Sequence, residues 1–415
     1  MSIARARGRV VDVAFGTMAL VKTVEGPRTA AVGDELKYKV SEFIPANPSK
    51  ADIAAVSWLV KSEGGSALAS LANCGPEFTI TVPNTWAGQN VLVMPFMRAP
   101  SAAISVTTAI GDAEIARPTS PTEGPAAVRI ERDGKRFYAS VAGEPRFFLG
   151  VDVVYGERRG LMNSSNPPGP RYAAEDFQDA HGDWAWYLLP TITCESNRSF
   201  TCLNTYDSAA VTLGHGQFAA HTPDDNFVAI FREALGQDAA AVYFPDLTVK
   251  GGRIHQDTGS GLKPLESATS TQQLMNYFNS SPASVDSEEA DRSARLVHWV
   301  ASHAPMRELL VTYFVTQQRR KLAGHATKLP VEGLTDKLCL VVLDVLHQGR
   351  ARYDNIRAAL GKADPFDALL ALGASTYKER VATLRAEIQK LEARGMVGKK
   401  VYSKAKKDFI VPAGA

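Results

Sequence analysis

The chain has 415 residues, of which 45% are hydrophobic and 22% charged, and its formal net charge is +2. That length exceeds one ordinary core and sets an expectation of roughly two or three domains, while the composition excludes dominant disorder. A net charge so near zero gives no reason to expect a nucleic-acid partner. No stretch reaches the roughly 18–20 apolar residues of a membrane span, so no stable membrane insertion is expected. The opening segment is positively charged but interrupted by Asp12, and it does not read as a signal peptide.

Residues 28–116 carry the strand signal. Leu36, Tyr38 and Val40 alternate with polar residues, as do Phe78, Ile80 and Val82. Val91, Val93, Ile104, Val106 and Thr108 extend the pattern. Trp58 falls mid-strand, where an immunoglobulin-like sandwich keeps a core aromatic, although the inter-sheet cysteine pair is absent. The expectation is an Ig-like β-sandwich over residues 1–118.

A linker follows from Arg117 to Pro125, rich in Pro, Thr and Ser. Strands are predicted over Val128–Glu131 and Arg136–Val141, joined at Asp133-Gly134, with a third over Arg146–Tyr155. Residues 163–170 read as a loop. The segment 119–170 is therefore read as a linker and hairpin element.

From Tyr172 onward the periodicity is helical. Phe177, His181, Trp184 and Leu188 share one helical face, and Trp184 and Trp186 read as core. Thr222 is the expected N-cap of a helix with Pro223 at its first position and Gly236 beyond its end. Residues 250–290 read as a long polar loop with one short helix near 274–278. Helices are predicted over 292–322 with a break or bend at Pro305, over 335–347, over 353–360, and from Asp364-Pro365 to Gly373. Thr376 and Glu379 suggest a capping box for the last helix, whose stripe is Val381, Leu384, Ile388 and Leu391. The lysines at 399, 400, 404, 406 and 407 read as a solvated tail.

There are four cysteines, of which only Cys194 and Cys202 are close in sequence. A disulfide and a pair of free thiols are both open. Together with His215 and His221 they fit no closed zinc pattern, and no metal or cofactor is expected. Phosphate-loop, His-Glu-x-x-His and Gly-x-Ser-x-Gly motifs are absent.

The chemistry concentrates in residues 181–221. Glu195 follows Leu188, Leu189, Ile192 and Cys194, and a carboxyl against an apolar wall is expected to have a raised pKa, as a general acid needs. Asp207 follows in the polar run Asn204-Thr205-Tyr206-Asp207-Ser208 and is expected to stay ionised. Paired carboxyls in contrasting surroundings suit glycoside hydrolysis.

Glu195-Ser196 followed by Gly214-His215-Gly216-Gln217 resembles the Glu-Ser … Gly-x-x-Gln signature of soluble lytic transglycosylases and goose-type lysozymes. Asp207 and Thr212 resemble the Glu … Asp … Thr arrangement of phage-type lysozymes. The likeness spans roughly 55 residues. It implies an α-helical lysozyme-like domain over 171–415, within an α+β multidomain chain. It also implies Glu195 as acid, Asp207 as base or water-positioner, and Asn204, Tyr206, Thr212, His215 and Gln217 along the substrate.

The expected activity is cleavage of the β-1,4 bond between N-acetylmuramic acid and N-acetylglucosamine in peptidoglycan. The order of β-sandwich, hairpin and helical domain also resembles peptidoglycan-degrading effectors of bacterial type VI secretion. That likeness implies a cognate immunity protein, a secretion-apparatus partner and action in the periplasm of target bacteria. A lytic transglycosylase, a chitosanase-type glycosidase and a non-catalytic wall-binding or phage-tail protein stay open.

Overall fold

The computed structural model describes residues 19–30, 34–62, 67–83, 86, 89–110, 125–281 and 283–412. The expected linker therefore falls outside the described residues except for Pro125. The chain divides into two compact units, residues 1–116 with 249–252, and residues 117–248 with 253–415. The first is β-rich and the second carries most of the helix.

In the first unit, β1 (Leu20–Glu25), β2 (Thr29–Ala30) and β3 (Glu35–Ile44) precede a short helix α1 (Lys50–Ala54). The strands β4 (Ser57–Ser62), β5 (Ala67–Leu71), β6 (Glu77–Thr81), β7 (Asn90–Phe96) and β8 (Val106–Ile110) follow. They form a three-stranded sheet, β1-β3-β6, and a five-stranded sheet, β2-β8-β7-β4-β5. The alternating side chains explain why the two sheets share one core. Leu36, Tyr38, Val40 and Phe78 from the first sheet pack with Trp58, Val60, Val91, Val93 and Val106 from the second.

Trp58 is fully buried, stacks on Phe78 at 5.4 Å and donates its indole N–H to the Gly75 carbonyl at 2.9 Å. The Tyr38 and Thr108 hydroxyls bond between the layers at 2.7 Å, which satisfies two otherwise costly buried polar groups. Ile104, expected in a strand, lies just before β8.

In the second unit, β9 (Val128–Asp133), β10 (Arg136–Val141), β11 (Phe147–Tyr155) and β12 (Arg158–Met162) form an antiparallel meander. Gly134 takes the positive φ of the β9–β10 turn, as the Asp-Gly pair predicts. The meander is not a separate element. Met162 pairs with Asn204, and the sheet continues through β13 (Leu203–Asn204), β14 (Thr212–Leu213) and β15 (Phe218–Ala219) to seven strands.

Between β12 and β13 the chain makes three short helices, α2 (Gln178–His181), α3 (Asp183–Tyr187) and α4 (Leu189–Ser196). The single helix expected across Phe177–Leu188 is thus broken. Gly182 adopts φ +57 between α2 and α3, and Pro190 opens α4. Trp184 and Trp186 are buried.

The remaining elements are α5 (Asn226–Ala234), α6 (Ala240–Tyr243), β16 (Leu247–Lys250), β17 (Arg253–Asp257), β18 (Leu262–Pro264), α7 (Gln272–Phe278), α8 (Ser287–Ser302), α9 (Ala304–His325), α10 (Asp336–His347), α11 (Tyr353–Leu360), α12 (Pro365–Ala371), α13 (Lys378–Ala393), β19 (Val401–Ser403) and β20 (Asp408–Ile410). Several expectations need correction. Asp225, not Thr222, caps α5 by accepting from Asn226 N–H. The polar stretch after residue 250 forms β17 and β18 as well as α7. The break expected near Pro305 is there, since His303 is extended between α8 and α9.

Asp364 does cap α12, accepting from Asp367 N–H. The last helix starts at Lys378 behind Tyr377 without a side-chain cap, so the Thr376 capping box does not form. The lysine-rich end is not a free tail, since β19 and β20 pair and Lys400 makes an ion pair with Asp183. All four cysteines are free thiols. Among the described residues no helix is long and apolar enough to cross a membrane.

Candidate active site

Glu195 sits in the last turn of α4, immediately before the three-strand ribbon β13–β15. The helix ends because Asn197 and Arg198 both take left-handed backbone, at φ +49 and +67. Their N–H groups return to Thr193 and Ile192 carbonyls, closing the helix C-terminus. Ser196 then ties the helix end to the ribbon by donating its hydroxyl to the His215 carbonyl at 3.1 Å. This bond gives the Glu-Ser pair and the distant Gly-His-Gly-Gln stretch a shared structural purpose.

That stretch is a tight turn. Gly214 has φ +88, and a Cβ at Gly216 would lie 2.6 Å from the Phe218 ring. Gln217 takes φ +50, and its amide donates to the Gly214 carbonyl at 2.9 Å. Asn204 Nδ2 approaches Gln217 Oε1 at 3.4 Å. Gln217 and Asn204 thus sit side by side on neighbouring parts of the ribbon, both half-buried.

Asp207 lies in the loop between β13 and β14. Its Oδ1 accepts from Ala209 N–H at 2.9 Å, and the Thr212 hydroxyl reaches Oδ2 at 3.5 Å. Asp207 and Thr212, which the sequence resemblance sets in one arrangement, are thus neighbours. Tyr206 packs edge-on against Tyr155 at 6.0 Å, and Tyr155 is 70% exposed at the end of β11. The pair offers an apolar face beside Asp207. The backbone here needs Gly160, since a Cβ there would approach the Thr205 and Tyr206 main chain at 2.6 Å.

His215 does not line a surface. It is fully buried among Tyr172, Phe200, Phe218 and Phe314, with ring centroids 5.0–5.7 Å away. Among the described residues both ring nitrogens lack partners, and burial lowers its pKa to about 3. It is a neutral core side chain, and its expected substrate contact is withdrawn.

The surroundings of Glu195 also differ from expectation. Its side chain is 14% exposed and faces two basic residues. His347 Nε2, at the end of α10, lies 3.1 Å from Oε1, and Arg380 Nη1, on α13, lies 2.8 Å from the same oxygen. Burial alone raises the Glu195 pKa, as the apolar approach of α4 suggests. The close approach of His347 and Arg380 to Oε1 outweighs burial and brings it below the ordinary carboxyl value. The resting carboxyl is ionised, which corrects the raised pKa read from sequence.

Arg380 is itself held firmly. It bonds Asp344 through Nη2 at 2.6 Å and Nε at 3.2 Å. Arg350 Nη2 meets the same Asp344 at 2.9 Å, and Asp344 and Arg350 have no exposed side-chain surface. Cys194 donates its thiol to the Arg380 carbonyl at 3.6 Å, so α13 is fastened to α4 on both sides of the ion pair. The thiol is pushed up to about 12, chiefly by burial.

On α9, Lys321 is half-buried and makes no ion pair among the described residues. Its charge and that of Glu195 act on each other, as do those of Lys321 and Asp225, while burial lowers the Lys321 pKa. Asp225 in turn accepts from Tyr313 and pairs with Arg320 at 2.9 Å.

The sequence reading named Glu195, Asp207, Thr212, Asn204, Tyr206, Gln217 and His215. It missed His347, Arg380, Lys321 and Tyr155. No local pattern marks His347 and Arg380, which come from helices far along the chain. Among the described residues, no group of three His, Cys, Asp or Glu side chains forms a metal-binding set. Comparison of the chain with protein families, with curated proteins and with solved structures gives no match.

Proposed function

We propose that this protein is a peptidoglycan muramidase in which Glu195 protonates the leaving glycosidic oxygen and Asp207 orients the attacking water. The observation that carries the reading is the junction of α4 with the ribbon. A recessed carboxyl ends the helix, Ser196 locks it to the Gly214–Gln217 turn, and the adjoining loop holds Asp207 against Thr212. Helix, acid and ribbon in that order support a lysozyme-like second unit. For the first unit, two sheets with a shared core and the parallel β2–β8 pairing support an Ig-like sandwich.

The test is digestion of purified sacculi. The reading expects muropeptides with reducing ends. Products with 1,6-anhydro ends would move the protein to the lytic transglycosylases, cleavage of chitosan alone to the chitosanases, and binding without products to a wall-binding module.

An ionised resting Glu195 gives the reading a specific pH dependence. A general acid works protonated, so kcat/KM falls as pH rises through its pKa. With that pKa below the ordinary carboxyl value of 4.5, the falling limb should lie on the acid side of it. Arg380→Gln removes one lowering charge and should move the limb up by about one to three pH units, the usual effect of an opposite charge at contact distance. Asp344 keeps Arg350, so the fold should survive at a cost of a few kcal/mol. A limb that stays in place in the variant would remove Glu195 from the role of acid.

Delivery by a secretion machine, with an immunity protein covering the cleft, accompanies this reading. Expression directed to the periplasm should then arrest growth and cytoplasmic expression should not. Equal arrest from both compartments would contradict a wall target.

A further inference from the structure

The basic surface that runs from the acid along α9 is not used by the chemistry above. Lys321 and His325 stand at i and i+4 on one face of α9, and Lys328 follows in the turn just past its end. Together they form a short basic track at the helix C-terminus. At its near end, Lys321 interacts with Glu195. At its far end the Lys328 ammonium sits 5.1 Å over the Tyr353 ring, and the Tyr353 hydroxyl meets His325 Nδ1 at 3.0 Å.

The far end opens into a basin of about 1110 Å³. Its lining holds Lys328, Arg350, Arg352 and Arg357, with Asp354 as the one acidic side chain in it. Asp354 is already paired with Arg357. Arg352 and Lys328 are exposed and make no ion pair among the described residues. A second connection reaches the acid through the buried chain Arg350–Asp344–Arg380–Glu195. The wall of the basin is thus joined to the acid through Arg350, and the charged side chains of that wall are mostly cationic.

The geometry points to a subsite for the carboxylates of the peptide stem carried by the muramyl residue, with Lys328 and Arg352 as its principal contacts. This rests on the muramidase reading and adds to it a preference for peptide-bearing strands. Net charge is only +2 over the whole chain, so a polyanion is a poorer match than a few carboxylates attached to the strand being cut. The Arg352 guanidinium can take a carboxylate in bidentate fashion, and Lys328 supplies a second charge beside it.

The test has two readouts. The first is the ratio of kcat/KM on intact glycan strands to kcat/KM on strands stripped of peptide by an amidase. The second is affinity for a soluble muramyl tripeptide with free carboxylates, measured by calorimetry at low salt. Wild type should prefer peptide-bearing strands roughly three- to tenfold, as two exposed ion pairs allow. The double variant Lys328→Glu/Arg352→Glu should bring the ratio to one or below and weaken muramyl tripeptide binding about tenfold or more.

If wild type cuts both strands equally and the variant binds the tripeptide as well as wild type, the subsite is overturned while the muramidase reading stands. If wild type cuts neither strand but the variant still loses tripeptide affinity, the glycosidase reading fails and the subsite stands. Loss of neither cleavage ratio nor affinity overturns the subsite in every case.

Discussion

His215→Phe should flatten the acid limb of the stability curve. In the folded state the imidazole is fully buried among aromatic rings and its pKa is lowered to about 3, against an ordinary value of 6.5. The unfolded chain therefore binds a proton at a pH where the folded chain does not. Stability from this site is complete above about pH 6.5 and is lost as pH falls toward 3, at about 1.4 kcal/mol per pH unit. The whole window amounts to about 5 kcal/mol, a large share of the 5–15 kcal/mol that holds a typical domain together. Urea midpoints between pH 3 and 7 should fall steeply for wild type and shallowly for His215→Phe. The slope is the quantity to read, because the larger ring has its own packing cost. Parallel slopes would show that His215 finds a proton partner in the fold.

Glu289→Gln should act on the opposite limb. Glu289 lies in the first turn of α8 and is 1% exposed. Its Oε1 accepts from Leu161 N–H at 3.2 Å and from the Thr205 hydroxyl, while Oε2 has no partner among the described residues. The bonds fasten α8 to the strands around the Asp207 loop. Burial, partly offset by the Thr205 and Leu161 hydrogen bonds, raises its pKa to about 8. The neutral acid is the form that fits.

Stability from this group is complete below about pH 4.5 and is lost as pH rises to 8, again about 5 kcal/mol over the window. The amide reproduces the neutral form, keeps the acceptor and should leave the variant more stable than wild type at pH 8. A variant less stable there would mean that the ionised carboxylate is the one the fold accommodates. Taken alone, the two groups offset each other between about pH 4.5 and 6.5 and steepen the losses outside it. The fold is thus held best on the acid side of neutrality, the direction in which an acid of lowered pKa also gains activity.

Side-chain periodicity made much of this legible in advance. Leu36, Tyr38 and Val40 alternate because one face of β3 must be dry, and they are buried as that alternation demands. Leu384, Ile388 and Leu391 likewise face the core from α13. The Asp133-Gly134 turn was legible because Gly tolerates the positive φ.

What failed depended on competition between nearby signals. Gly182 and Pro190 interrupt a helical face that Phe177, Trp184 and Leu188 otherwise continue. Asp225 displaces Thr222 as cap because it also gains Tyr313 and Arg320 from α9.

The site divides in the same way. Glu195, Ser196, Asp207, Thr212 and Gln217 lie within one short stretch, so their pattern could be read. The charge state of Glu195 could not. It is set by His347 and Arg380, which only the packing of α10 and α13 brings to α4. His215 was misread for a related reason, because nothing in Gly-His-Gly-Gln tells that Tyr172 and Phe314 close over the ring.

The central claim is that Glu195 is the acid of a glycan-cleaving site, and the most direct measurement compares wild type with Glu195→Gln on purified peptidoglycan at acid pH, with products weighed by mass. The account predicts reducing-end muropeptides from wild type and a loss of about 10²- to 10⁴-fold in their rate of release by the variant, with melting behaviour showing that it is folded. Release of the same products at the same rate by Glu195→Gln would contradict it.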